Sequence, residues 1–217
     1  MNSQVERTFK KVICLGLPKT GTTTFGRCAV TLGYEKAPYD VELVRQVAAK
    51  DTSAVGPALA RHDCFEDWPW PVVYRDAYKL EPEAAYILTV RKDANIWLES
   101  IRNHTARNPS AESKQLRTHL FGDSDPWGQG EKYKDFYESH NEQVASFFSD
   151  KADQFATVCW ERGDGWEELC ALLRLEVPAN TAFPHANSKA SRERVFYRAK
   201  KKIKQIARPL RTKLLLR

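Results

Sequence analysis

Several absences narrow what this chain can be. No stretch approaches the roughly 18 consecutive apolar residues that a membrane-spanning helix needs, and residues 1–8 lack the apolar core of a signal peptide. The five cysteines are odd in number and scattered, without a C-x-x-C pair. This pattern argues against a disulfide framework and against a structural zinc site. We therefore expect a reduced, cytoplasmic protein that holds no metal.

Acidic residues are nearly absent from one region, the C-terminal tail. From Lys189 to the end, the chain carries 12 Lys or Arg residues and one acidic residue, Glu193. The whole chain has a net charge of +6, so the part before the tail is mildly acidic. We therefore predict a domain at residues 1–187 and a basic tail at residues 188–217.

The tail has the pattern of a basic amphipathic helix, because apolar residues recur in it at steps of three or four. Docking of this helix on the domain, with its basic face exposed, is the plainest expectation. Attachment to an anionic membrane surface is the next alternative and would place the protein at the inner face of the membrane. Nucleic acid is an unlikely partner. The apolar positions are Ala199, Ile203, Ile206, Leu210 and Leu214.

Among the motifs that the chain does contain, the most informative is Gly16–Phe25, with the sequence GLPKTGTTTF. A short apolar strand enters a glycine-bounded turn, and hydroxyl residues open a helix. Backbone N–H groups in such a loop, together with the helix dipole, bind phosphate. Gly16 and Gly21 have the spacing of the nucleotide-binding P-loop, but Thr22 stands where that loop has lysine. The only lysine of the loop is Lys19, so we expect a ligand other than a nucleoside triphosphate.

Strand and helix patterns alternate along the domain, which predicts an α/β, P-loop NTPase-like fold. We expect three layers, with a mostly parallel central sheet and helices on both faces. The polar segment Asn108–Gly130 is predicted to be a flexible loop or lid. The predicted strands are Lys11–Leu15, His62–Phe65, Ala85–Val90 and Phe155–Cys159. The predicted helices begin at Gly21, Tyr39, Pro71, Asp93, Glu131 and Gly165.

These motifs carry a resemblance to a known family. Leu17–Thr23 resembles the 5′-phosphosulfate loop of sulfotransferases, which use 3′-phosphoadenosine 5′-phosphosulfate (PAPS) as sulfonate donor. A strand that ends in Arg91, followed nine residues later by Ser100, is similar to the element with which the family holds the 3′-phosphate. The resemblance extends from about Lys10 to Asn187. Three further segments resemble a group of small sulfotransferases, namely Asp67–Pro69, Gly165–Cys170 and Phe183–Asn187.

The resemblance implies a donor site and no metal. Lys19 is expected to stabilise the negative charge that grows on the leaving phosphate oxygen. Basic residues at the start of the tail are expected to close over the 3′-phosphate. Taken alone, Arg91 could instead form a surface salt bridge, and Ser100 could be a buried helix serine. The predicted donor-binding residues are Pro18, Lys19, Thr20, Gly21, Thr22, Thr23, Thr24, Arg91, Ser100, Lys189 and Arg192.

The acceptor hydroxyl needs a group that takes its proton. The resemblance implies a histidine or a carboxylate in this role, and the candidates cluster at residues 62–69. Asp67 is the first choice, and His62 and Asp63 follow. Asp67 could equally be only the cap of the helix that Pro69 and Pro71 enter.

The function that these expectations imply is sulfonate transfer from PAPS to a hydroxyl, or less readily to an amine. The acceptor would be a small molecule, a sugar or a lipid. Two alternatives stay open. One is a P-loop nucleotide or small-molecule kinase, against which the missing lysine after Gly21 argues. The other is a catalytically inactive nucleotide-binding protein, against which the presence of Lys19 argues.

Overall fold

The computed structural model describes residues 7–184, which form four strands, eight α-helices and one short 3₁₀ helix. The strands are β1 (Val12–Cys14), β2 (Cys64–Phe65), β3 (Ala85–Thr89) and β4 (Phe155–Val158). The helices are α1 (Thr22–Thr31), α2 (Val41–Ala48), α3 (Val55–Leu59), α4 (Tyr74–Leu80), α5 (Ala94–Arg107), α6 (Ala111–Phe121), α7 (Gly130–Phe147) and α8 (Trp166–Leu173), with the 3₁₀ helix at Trp160–Arg162.

The four strands form one sheet in the order β2-β1-β3-β4, and every pairing is parallel. Val12 of β1 lies opposite both Cys64 of β2 and Ala85 of β3. Because all strands run the same way, the segments that follow them meet at one edge of the sheet. These segments include the loop after β1, Asp67 after β2 and Arg91 after β3. The predicted parallel sheet is confirmed.

Helices cover both faces of the sheet, which gives the predicted three layers. Strand side chains alternate between the faces. Val12 and Cys14 pack into one buried cluster with residues of α1 and α8. Ile13 and Leu15 pack into another with residues of α3, α4 and α7. A third buried cluster, formed by α5, α6 and α7, includes Leu17 of the loop. The strand end and the start of the loop are therefore anchored in three buried clusters, through Cys14, Leu15 and Leu17.

The prediction of a flexible loop at Asn108–Gly130 is wrong in its central part, because α6 spans Ala111–Phe121. The Ser110 hydroxyl caps its first turn by accepting a hydrogen bond from the Ser113 N–H, and Gly122 ends it with a φ of 71°. Only Phe121 of this helix is buried. The apolar face of α6 is therefore narrow, and the sequence of this segment shows no clear helical periodicity of apolar residues.

Three other predictions concern the chain as a whole. All five cysteines are free and buried. No helix within residues 7–184 is long and apolar enough to cross a membrane. The predicted domain boundary after Asn187, the tail helix, and the donor-binding roles of Lys189 and Arg192 lie outside the described residues. They stay predictions from the sequence.

Candidate active site

The loop after β1 has a backbone shape that few residues adopt. Lys19 has a φ of 75° and Gly21 a φ of 106°, and both values lie in the left-handed region. A Cβ atom at Gly21 would lie 2.3 Å from the ring of Trp160, whose Nε1 donates to the Gly21 carbonyl at 3.2 Å. Gly21 is thus required both by its φ and by the tryptophan that covers it. Such conformations persist where the surrounding structure holds them, often at functional sites.

Thr20 fixes the loop from inside. Its hydroxyl donates to the Leu17 carbonyl at 2.6 Å and lies 2.6 Å from the Thr89 hydroxyl on β3. Its N–H also donates to the Leu17 carbonyl, at 3.2 Å. Both donors of Thr20 are used within the protein, and the side chain is buried. We therefore assign Thr20 to holding the loop rather than to contacting a nucleotide.

The N-terminus of α1 is open to an anion. No side chain caps this helix, and its first turn has no acidic residue. The first N–H groups of a helix have no partner within the helix, and they carry the positive end of its dipole. Thr22 and Thr24 are buried here, and Thr23 is half-buried. The predicted phosphate-binding residues therefore lie where a phosphate would meet the helix.

Two side chains from other helices hold the ends of the loop. Trp97 of α5 donates from Nε1 to the Pro18 carbonyl at 2.9 Å. The ring of His140 on α7 lies with Nε2 2.8 Å from the Leu15 carbonyl, so Nε2 is the donor. Burial lowers the pKa of His140 and keeps it neutral. His140 is therefore a buried core residue whose ring is satisfied by the backbone of the loop.

Arg91 follows β3 and reaches back to the loop. Its Nη1 donates to the Lys19 carbonyl at 3.3 Å, and its Nη2 lies 2.8 Å from Glu161 Oε1. Its Nε is buried and has no hydrogen-bond partner among the described residues. Buried donors are almost always satisfied, so this one fits an anion that binds beside the loop. Ser100 lies about two turns into α5 and is half-buried. It follows Trp97 by three residues, so the two side chains lie on the same face of the helix.

Asp67 lies just beyond β2, at the same edge of the sheet as the loop. It too has a left-handed backbone, with a φ of 67°, and its Oδ1 accepts from the Trp68 N–H at 2.9 Å. Burial and the neighbouring Glu66 carboxylate raise the pKa of Asp67 to about 6, and the Lys19 ammonium opposes this shift. Lys19 and Asp67 are therefore electrostatic neighbours. A carboxylate with this pKa is a suitable proton acceptor near neutral pH.

The structure does not bring His62 and Asp63 to the loop. Both precede β2, so they lie at the opposite edge of the parallel sheet. The His62 carbonyl accepts from Lys11, which itself precedes β1, at 3.0 Å. Asp63 pairs with Arg7 at 2.7 Å. Of the three predicted proton acceptors, Asp67 alone shares an edge with Lys19.

One titratable neighbour of Lys19 is absent from the predicted site. His104 lies on α5, seven residues after Trp97, which is two turns along the same helix face. Burial and the charge of Lys19 lower the pKa of His104. Helical spacing from Trp97 was the signal that could have found it. His104 is therefore neutral near pH 7 and lies on the same side of the site as Lys19.

Comparison with known proteins identifies the family of the chain. The model of the sulfotransferase domain matches residues 11–192, which is most of the chain. The chain belongs to the sulfotransferase domain family. The predicted resemblance to sulfotransferases is thus confirmed, and with it the assignment as a PAPS-dependent transferase.

A solved structure supports the fold. A sulfotransferase from Alicyclobacillus acidocaldarius superposes with a TM-score of 0.55 over 95% of this chain and 97% of its own, at 13% sequence identity. At this identity the likeness bears on the fold alone, and it confirms the P-loop-like α/β class. The sequence matches none of the curated proteins with which it was compared.

Proposed function

We propose that this sulfotransferase domain moves the sulfonate group of PAPS to a hydroxyl group of an acceptor. The observation that carries the proposal is the meeting of Lys19, Asp67 and Arg91 at one edge of the sheet. Arg91 bonds to the backbone of Lys19, and the Lys19 ammonium influences the pKa of Asp67. A cation for the leaving group, a proton acceptor and an anion-binding arginine are the groups that this transfer needs.

The donor has a suitable place beside the loop. The uncapped N-terminus of α1, at Thr22 and Thr23, would hold the 5′-phosphate. Arg91 would hold the 3′-phosphate, because its buried Nε has no hydrogen-bond partner within residues 7–184. The half-buried Ser100 on α5 would donate from its hydroxyl to the same phosphate.

The residues then divide the chemistry between them. Asp67 takes the proton of the acceptor hydroxyl, while the oxygen of that hydroxyl forms a bond to the sulfur atom of PAPS. The bond between that sulfur and the bridging oxygen of the 5′-phosphate breaks, and 3′-phosphoadenosine 5′-phosphate (PAP) leaves. Lys19 stabilises the negative charge that grows on the bridging oxygen. One preorganised donor of this kind contributes about 3–4 kcal/mol to the transition state.

The setting of the reaction is also proposed. Five free, buried cysteines fit the reducing conditions of the cytoplasm. The basic tail stays a candidate for contact with an anionic membrane surface, on the sequence pattern alone.

Radiolabelled transfer tests the proposal. Full-length protein is incubated with PAPS labelled with ³⁵S in its sulfonate and with a panel of phenols, aliphatic alcohols and sugars. We expect label on at least one hydroxyl compound, and none with a Lys19→Ala variant. If no compound in the panel receives label, while wild-type protein binds PAP, the proposed transfer to a hydroxyl group is wrong and only nucleotide binding stands.

A further inference from the structure

A groove lies between helices α2 and α6. It has a volume of about 260 Å³. Its floor and walls are mostly apolar, and polar groups lie at its rim. A cavity of about 150 Å³ holds a benzene molecule, so this groove has room for a larger apolar group of about two rings. The apolar lining consists of Val41, Val44, Ala48, Ala49 and Leu116.

Two exposed hydrophobic side chains contribute to this groove. Among residues 7–184, seven large hydrophobic side chains are exposed, and two of them line the groove. These are Tyr39, 49% exposed, and Val41, 44% exposed. Both lie side by side at the start of α2, within the same concave surface. A contiguous apolar surface of this kind marks a binding site more often than scattered hydrophobic residues do.

The groove shares its apolar packing with the candidate active site. Val44 at its floor is buried in the same apolar cluster as Leu17 and Trp68, and Leu116 packs against that cluster. Leu17 lies two residues before Lys19, and Trp68 directly follows Asp67. Tyr39 gives a second connection, because burial and the Asp67 carboxylate raise its pKa to about 12. The packing of the groove is therefore linked to the two chain segments that carry Lys19 and Asp67.

The charges at the rim cancel. Arg45 of α2 donates from Nη2 to Glu112 Oε1 of α6 at 2.5 Å, which joins the two helices across the groove. The other polar lining groups are Tyr39, Gln115 and His119, so Arg45 and Glu112 supply the one guanidinium and the one carboxylate of the lining. A groove without net charge offers nothing to bind a polyanionic sugar, whereas its apolar floor favours an uncharged, apolar molecule.

We propose that the α2–α6 groove is the acceptor site and that it takes a small hydroxyl compound with an apolar body, such as a phenol or a hydrophobic alcohol. The apolar body lies against Val44 and Leu116, and the hydroxyl group points towards Asp67. The inference rests on the proposed sulfonate transfer for its chemistry. The binding of an apolar molecule in the groove can be measured separately from that reaction.

The test uses 2-naphthol as probe and full-length protein. Its binding is followed by saturation-transfer NMR and by fluorescence titration. Val41→Trp places a large ring in the groove, and we expect it to weaken 2-naphthol binding about tenfold or more. Val72→Trp is the matched control, because Val72 is 40% exposed and does not line the groove. Ala49→Trp fills the groove from the other end of α2 and guards against a defect specific to residue 41.

Each outcome decides the inference. Weaker 2-naphthol binding in Val41→Trp and Ala49→Trp, with normal binding in Val72→Trp, supports it. Unchanged binding in both groove variants overturns the location. If 2-naphthol does not bind wild-type protein, or if N-acetylglucosamine binds in its place, the apolar class is wrong. PAP binding is measured on the same samples. Its failure in wild-type protein would count against the donor proposal and leave the result for the groove standing.

Discussion

Arg91 and Glu161 form an ion pair across the ends of β3 and β4. Arg91 Nη2 lies 2.8 Å from Glu161 Oε1, and the second carboxylate oxygen accepts from the Lys92 N–H at 3.2 Å. The Glu161 carboxylate thus meets the guanidinium and a backbone N–H together, as a phosphate would. Both side chains are about one-third exposed or less. A nucleotide 3′-phosphate that binds Nη2 of Arg91 must therefore compete with Glu161, whereas Nε has no partner within residues 7–184.

Glu161→Gln should tighten the binding of PAP. The amide keeps the shape of the side chain but removes its charge, so it competes less for Arg91 and no longer repels a phosphate. Partly exposed ion pairs contribute about 0.2–1 kcal/mol, so we expect an affinity gain of about 1.4- to fivefold. Calorimetric titration measures it. Glu167→Gln, at an exposed glutamate of α8, is the matched control and should change nothing. Weaker PAP binding in Glu161→Gln would show that the carboxylate supports the donor site.

Arg91→Ala should distinguish two ligands that differ by one phosphate. Hydrogen bonds to charged groups contribute about 1.5–3 kcal/mol, so we expect binding of PAP to weaken by roughly 10- to 150-fold. Binding of adenosine 5′-phosphosulfate, which lacks the 3′-phosphate, should barely change. The same titration with both nucleotides decides the matter, because equal losses would place Arg91 elsewhere on the donor.

Asp67→Asn should remove a proton acceptor and a destabilising charge together. The rate of wild-type enzyme should fall as the pH drops through about 6, because protonated Asp67 cannot accept a proton. In the variant, kcat should be low and this acidic limb flat. The profile is measured with the best substrate of the acceptor panel. Helix α4 begins at Tyr74 and has no side-chain cap, so the alternative that Asp67 caps this helix is wrong. Normal turnover in Asp67→Asn would leave Asp67 with a structural role in the turn after β2, where it accepts from the Trp68 N–H.

The thermal stability of Asp67→Asn tests the raised pKa of the Asp67 carboxyl group independently of turnover. Its pKa rises on folding from 3.8 to about 6, so the folded protein favours the protonated form. Ionisation therefore costs stability, increasingly as the pH rises from about 4 to 6 and fully above that range. The variant should melt at a higher temperature than wild-type protein at about pH 7.5, and the difference should shrink near pH 4. Equal melting temperatures at both pH values would contradict the raised pKa.

Lys19→Ala should affect turnover more than binding, because its partner is charge that grows in the transition state. Removal of one such donor typically costs about 100- to 1,000-fold in kcat, whereas we expect PAP affinity to change by less than about tenfold. Lys50→Ala is the matched control, since Lys50 also has a left-handed backbone, with a φ of 67°, and lies after α2. A near-normal kcat in Lys19→Ala would remove the lysine from the mechanism.

Local patterns predicted the parts of the site that single segments build. The loop at residues 16–25 has its glycine spacing and its threonine run within one short stretch, and β3 is an unbroken apolar run that ends at Arg91. The structure places both as predicted. Thr20 differs, because its inward turn depends on Thr89, a residue of another strand. No pattern around Thr20 alone reveals that partner.

The remaining features depend on the order and direction of the strands. His62 and Asp67 lie five residues apart in sequence but at opposite ends of β2, so the direction of that strand decides which of them can reach Lys19. Glu161 meets Arg91 because β4 lies next to β3, a neighbour relation that the sequence alone does not specify. Helix α6 buries a single residue, so its apolar pattern in the sequence is weak. For this reason the sequence did not predict the helix that forms one wall of the groove.

Donor selectivity tests the central claim most directly. Full-length protein is titrated with PAP and, separately, with ATP and Mg²⁺, and thermal melting is followed at each concentration. We expect PAP to stabilise the protein without added metal, by about 2.7 kcal/mol at 100 times its Kd, and ATP with Mg²⁺ to have little effect. Stabilisation by ATP with Mg²⁺ and none by PAP would contradict the account and indicate a nucleoside triphosphate site.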